Sequence, residues 1–109
     1  MKGLYTDNVY YFQHEDQSFL DFIRKNEGYV FNDFGGSQVQ YQKLHHYDCA
    51  YLHNLGRGSL RTSVRKVCSS SKEDLINWLN EKRGKINIGY TECPCMKDPN
   101  YKIVEIDTL

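Results

Sequence analysis

Two short stretches carry the residue types best suited to chemistry: Leu44-His45-His46-Tyr47-Asp48-Cys49 and Cys93-Pro94-Cys95. His45 and Cys49 stand four positions apart, Cys93 and Cys95 two apart. Imidazole nitrogen and thiolate sulfur are the donors of closed tetrahedral zinc sites, with Zn–S near ~2.3 Å and Zn–N near ~2.0 Å. A turn across three intervening residues can bring both members of the first pair onto one ion. Cys-x-Cys is a tighter and less usual chelate than Cys-x-x-Cys, and Pro94 stiffens its turn by fixing φ. The expected ligand set is therefore His45, Cys49, Cys93 and Cys95, with zinc as the cofactor. Two substitutions stay open: Cys68 in place of His45 in a four-cysteine site, or His46 in place of His45 if the turn is rotated. The competing reading of these cysteines is as buried thiols that simply pack. A Cys93–Cys95 disulfide is not expected, because so short a ring strains the bridge. His14 and His53 sit on polar segments and are left outside the site.

The elements that must position these donors follow from pattern. Asn8 to Gln13 is rich in β-branched and aromatic residues and reads as a strand. His14 to Asn26 changes period: Phe19, Leu20, Ile23 and, at the edge, Phe22 form an apolar helical stripe, with Gly28 placed as a C-cap. Tyr29 to Asn32 and Gln38 to Leu44 read as two strands of a hairpin around Asn32-Asp33-Phe34-Gly35-Gly36, so His45 leaves the second strand as it ends. Val64 to Cys68 is the next strand. Ser70 and Glu73 form a capping box that opens a helix with Leu75, Ile76 and Leu79 inward, Trp78 beside them and Gly84 at its end. Lys85 to Tyr90 is a strand or an extended connector, and Tyr101 to Ile106 a last strand. The expected fold is α+β, a small antiparallel sheet with two helices closed by a single structural zinc site.

Composition sets the frame. At 109 residues the chain is expected to form one domain, residues 1–109. Apolar residues make up only 39%, although nine Tyr and five Phe add large buried area each. A metal cross-link suits a domain with so thin a core. No apolar run approaches the ~20 residues of a membrane span, and the N-terminal stretch lacks the apolar run of a signal peptide. The expected setting is cytoplasmic, where clustered cysteines stay reduced. Net charge is zero, but residues 1–55 carry four Lys/Arg against seven Asp/Glu and residues 56–109 carry ten against seven.

The basic excess gathers in one segment. Arg57, Arg61, Arg65 and Lys66 lie among Gly56, Gly58, Ser59, Thr62 and Ser63 with no acid between them. Arginine forks onto phosphate, and Ser and Thr donate to its oxygens. Tyr41, Tyr47 and Tyr51 could stack on bases. The first functional reading is a non-enzymatic zinc module binding nucleic acid or another phosphate-bearing ligand through the Arg57–Lys66 loop. The alternatives are a protein-interaction module, such as an accessory or anti-defence factor of a mobile element, and a thiol enzyme using Cys49 or Cys68 beside His45 or His46. For the last, no third residue that would orient the histidine is evident.

The order of these pieces resembles the small zinc module of the Ada DNA-repair protein. His45-x3-Cys49, then Arg65-Lys66-Val67-Cys68-Ser69-Ser70, then Ser71-Lys72-Glu73-Asp74-Leu75, then Tyr90-Thr91-Glu92-Cys93-Pro94-Cys95 follow its sequence of ligand pair, strand, helix and cysteine pair, over residues 40–97. The resemblance implies the fold and a four-ligand zinc site. A histidine stands where that module has its first cysteine, the last pair is Cys-x-Cys, and the intervening segment is longer. The methyl-accepting thiolate of the Ada module would fall at His45, and imidazole is not such a nucleophile. The likeness therefore extends to fold and metal, not to repair chemistry.

Overall fold

The computed structural model describes residues 3–4, 9–34, 41–49, 62, 64–98 and 100. Six strands form one sheet: β1 (Gly3–Leu4), β2 (Tyr10–Phe12), β3 (Tyr29–Asp33), β4 (Lys43–His46), β5 (Arg65–Ser69) and β6 (Thr91–Glu92). Helix α1 (Asp16–Lys25) follows β2, helix α2 (Lys72–Lys82) follows β5, and a 3₁₀ turn spans Pro94–Met96. The sheet order is β1-β2-β5-β3-β4-β6. All neighbours run antiparallel except β4 and β6, which are parallel. The α+β class with two helices is as expected, but the sheet is mixed rather than antiparallel. With only two residues, β6 has too little pattern to announce its direction.

This topology puts the helices on opposite faces. β2-α1-β3 and β5-α2-β6 both step the same way across the sheet, yet β2 and β5 point in opposite directions. Right-handed crossovers then require α1 and α2 to cover different faces. Burial agrees. Phe12, Val30 and Cys68 pack with Phe19 and Ile23 of α1 and with Cys49, Cys93 and Cys95. Phe31, Leu44 and Val67 pack with Leu75, Trp78 and Leu79 of α2 and with Tyr90.

Register makes the same division residue by residue. Val30 lies opposite both His45 on β4 and Cys68 on β5, and Tyr10 lies opposite Cys68. Lys66 lies opposite both Phe12 and Asn32. Because side chains alternate with period two, these rows share the α1 face. Phe31, Leu44, Val67 and Tyr11 form the intervening row on the α2 face.

Several boundaries differ from expectation, each for a local reason. α1 begins at Asp16, and Thr62 closes its start: Glu15 N–H donates to Thr62 Oγ1 (2.8 Å), while Thr62 N–H and Oγ1 donate to Asp16 Oδ1 (2.8 and 2.6 Å). The C-cap of α1 is Asn26 in extended backbone, not Gly28. Gly28 is required for closeness instead, since a Cβ there would sit 2.3 Å from the Ser69 carbonyl oxygen. The cap of α2 is one residue later than the expected box: Ser71 Oγ accepts from Asp74 N–H at 3.2 Å. Gly84, at φ +84, ends that helix as expected. Lys85 to Tyr90 forms turns with one isolated Ile86–Tyr90 bridge. Asn32 and Asp33 of the expected turn continue β3, while its Gly35-Gly36 part and the Tyr101–Ile106 strand lie outside the described residues.

Candidate metal centre

The parallel pairing of β6 with β4 brings the two donor pairs together. His45 lies on β4, and the chain then turns: Tyr47 N–H donates to the Gly28 carbonyl (3.0 Å) and Cys49 N–H to the His46 carbonyl (3.1 Å). On the other side, Thr91 N–H donates to the Gln42 carbonyl and Cys93 N–H to the Leu44 carbonyl, both at 2.9 Å. That ladder delivers Cys93 alongside His45. Pro94 then opens the 3₁₀ turn, Met96 N–H donates to the Cys93 carbonyl at 3.0 Å, and Cys95 swings back over the end of β4. Gln42 braces the approach from inside, donating to the Gly89 carbonyl (2.7 Å) and accepting from Phe34 N–H (3.1 Å).

The result is a closed cluster. One donor atom from each of His45, Cys49, Cys93 and Cys95 lies within 4.8 Å of every other, and all four residues are buried. His45 Nδ1 is 3.3 Å from Cys49 Sγ, and Cys49 Sγ is 3.7 Å from Cys93 Sγ. A tetrahedral zinc ion sets neighbouring sulfurs ~3.8 Å apart and a nitrogen–sulfur edge near ~3.5 Å. These two edges lie within a few tenths of an ångström of those values, and every donor pair lies within 4.8 Å. A disulfide would need about 2.05 Å between sulfurs, and the four cysteines are free. The cluster could hold a metal ion with no open position, the arrangement of a structural site.

Without an ion, the surroundings hold the thiols of the cluster in their neutral form. Burial raises the Cys93 thiol above its usual range, and the neighbouring Cys49 sulfur adds to the rise while Cys95 opposes it. Cys95 is raised first by its contact with Cys49 and then by burial. His46 N–H donates to Cys95 Sγ at 3.4 Å, the kind of backbone bond that supports a thiolate ligand. The far side of the His45 ring also has a partner, since Nε2 stands 3.5 Å from Asn32 Nδ2. Asn32 in turn accepts from the buried Lys66 ammonium. Sequence reasoning missed Asn32; its one signal is its place two residues after the inward-facing Val30.

The alternative ligands fall away. Cys68 shares the face of His45, but β3 lies between their strands, roughly 9–10 Å at the usual strand spacing. Its thiol is fully buried and raised by desolvation. His46 points to the other face, its ring 5.0 Å from that of Tyr29. His14 is exposed and His53 lies outside the described residues. Replacing Cys68 by Ala is therefore expected to leave metal stoichiometry unchanged while costing about 1–2 kcal/mol from the small cavity, measured by metal analysis and urea unfolding.

Two residues of the basic segment are committed elsewhere. Arg65 and Lys66 belong to β5 rather than to a loop. Arg65 pairs with the buried Asp33 and lies 4.4 Å over the Tyr11 ring. Lys66 is only 7% exposed. Arg57, Arg61 and Tyr51 lie outside the described residues, Tyr47 is half-buried, and Tyr41 is exposed beside Phe34. Among the described residues, no helix is long and apolar enough to cross a membrane. No family model, curated protein or solved structure matches the chain.

Proposed function

We propose that the chain is a small non-enzymatic zinc module, its α+β fold closed by one ion on His45, Cys49, Cys93 and Cys95. The carrying observation is that all four donors are buried within 4.8 Å of one another. Three thiolates and an imidazole in a tetrahedral set favour zinc over the hard cations that seek oxygen. A cytoplasmic setting goes with this reading, because thiolate ligation needs reduced cysteines. Order and spacing of ligand pair, strand, helix and cysteine pair support kinship with the Ada zinc module. The thiol-enzyme alternative finds little support, since Cys49 sits inside the cluster and Cys68 is sealed in the core. Elemental analysis of protein purified under reducing conditions should give one zinc per chain. A chain that binds neither zinc nor cobalt on reconstitution would overturn the reading.

The phosphate-bearing partner is proposed on Arg57 and Arg61, as Arg65 and Lys66 are held by Asp33 and Asn32. Two phosphate contacts give a salt slope of about −1.8 on duplex DNA, roughly a tenfold loss of affinity between 50 and 200 mM salt. Titration of a short labelled oligonucleotide at those two salts tests it, and a flat Kd removes phosphate recognition.

A further inference from the structure

Resting on the metal reading above, we infer that Lys66, held through Asn32, is the buried counter-charge of the metal centre, and that Asn32 is the outer partner that sets the His45 ring. Three thiolates and a neutral imidazole around a divalent ion leave one surplus negative charge, in a pocket closed to water. Such a surplus in a low-dielectric interior calls for a fixed cation nearby. Lys66 is the buried lysine among the described residues. It sits on the α1 face with His45, and its Nζ donates to Asn32 Oδ1. Asn32 spans the gap, its amide being the group next to His45 Nε2.

The position is otherwise costly. Without an ion, burial lowers the Lys66 ammonium to about 8, although the Cys68 and Asp16 charges act in the opposite sense. A lysine kept only for packing would be better replaced by an apolar side chain of the same length. Asn32 has its own reason to be polar. When Nδ1 is committed to a metal, the imidazole proton resides on Nε2 and needs an acceptor, and such outer partners fix ring orientation and ligand basicity. In this structure Asn32 turns Nδ2 to His45 Nε2 and Oδ1 to Lys66; with Nδ1 on a metal, a rotation of that amide brings Oδ1 toward Nε2–H while Lys66 polarises it.

The test is a competition titration of zinc against a chromophoric chelator, using the full chain, Lys66→Arg, Lys66→Met, Asn32→Asp and Asn32→Leu. Saturating cobalt is added in parallel, so that its visible spectrum reports the sulfur–nitrogen donor set in each variant. Lys66→Met keeps the length and packing of the stem but removes the charge, and is expected to weaken zinc 10- to 100-fold. Lys66→Arg keeps the charge and should stay within about threefold of the original, a rescue that packing alone would not give. Asn32→Leu should lose as much as Lys66→Met, whereas the carboxylate of Asn32→Asp can accept from both neighbours and should bind at least as tightly as the original. Equal zinc affinities for Lys66→Met, Lys66→Arg and the original chain would overturn the assignment of Lys66. If Lys66→Met does not fold even at saturating cobalt, the Asn32 pair decides: Asp tight with Leu weak supports the assignment, and both equal to the original sinks it. An original chain that takes up no metal overturns both this inference and the zinc reading; one that takes up an ion with variants unchanged overturns the inference alone.

Discussion

Chelating the proposed zinc, or replacing Cys93 by Ser, is expected to abolish the cooperative unfolding transition. β6 has only two residues, Thr91 and Glu92, paired with Lys43 and Leu44. A two-residue parallel ladder does not hold an edge by itself. On the zinc reading the segment is fastened by the ion, with Cys93 and Cys95 coming from one side and His45 and Cys49 from the other. Binding free energies of structural zinc are on the order of 10–16 kcal/mol near neutral pH, as large as the whole net stability of a typical domain, about 5–15 kcal/mol. Serine offers a hydroxyl that stays protonated and does not replace a thiolate. Melting followed by circular dichroism, before and after chelation, reads the outcome. A midpoint that moves by only a few degrees would mean that the two apolar layers carry the fold unaided.

On the zinc reading, the same site makes stability depend on pH, with opposite signs in the metal-free and loaded forms. In the metal-free fold, Cys93 and Cys95 are raised, so their contribution is present below the unfolded thiol value of about 8.5 and fades as pH climbs past it. In the loaded fold those thiols are ionised, so metal entry expels roughly three protons and acid drives the ion out. Zinc affinity should therefore fall steeply between about pH 7 and pH 5, by up to roughly a thousandfold per unit if all three protons exchange. A flat affinity across that window would show that the sulfurs are not the donors.

What could be read from the chain beforehand was set by how local the signal is. The four donors announce themselves by residue type and close spacing, and both helices by stripes such as Phe19 with Ile23 and Leu75 with Leu79. Each of these signals lies within a few residues. The parallel pairing of β6 is a long-range fact carried by backbone hydrogen bonds from Thr91 and Cys93, and nothing in Thr91-Glu92 encodes it. Lys66 shows the other kind of failure. In a row of serines and arginines it resembles a solvated loop cation, and its burial shows only once β5 is placed between β2 and β3, with Lys66 on the α1 face. Gly28 likewise looks like a helix cap until the Ser69 carbonyl is seen pressed against it.

Away from the metal, the largest loss is expected on removing Asp33. Its carboxylate, 2% exposed, accepts from Arg65 Nε (3.0 Å) and Nη2 and from Arg83 Nε (2.7 Å) and Nη2 (2.8 Å). The hydrogen bond to Asp33 is also what chiefly raises the Arg83 guanidinium. Arg83 caps α2 and lies 5.1 Å over Trp78, whose Nε1 donates to Tyr11 Oη at 3.0 Å. One buried acid thus ties the end of α2 to β2, β3 and β5. Breaking a buried pair by removing one partner costs about 3–5 kcal/mol, because the other charge is left unmet. Arg65 and Arg83 remain 32% and 16% exposed and can draw some water, so Asp33→Ala should fall at the low end, about 3 kcal/mol. Asp33→Asn keeps the shape and one acceptor, so it should lose roughly half of that. In the Asp33→Ala background, a further Arg83→Met should cost far less than it does alone, since the two share one network. Urea unfolding of the zinc-loaded proteins measures each value. A loss below about 1 kcal/mol for Asp33→Ala would place the burden on Trp78 and its apolar neighbours instead.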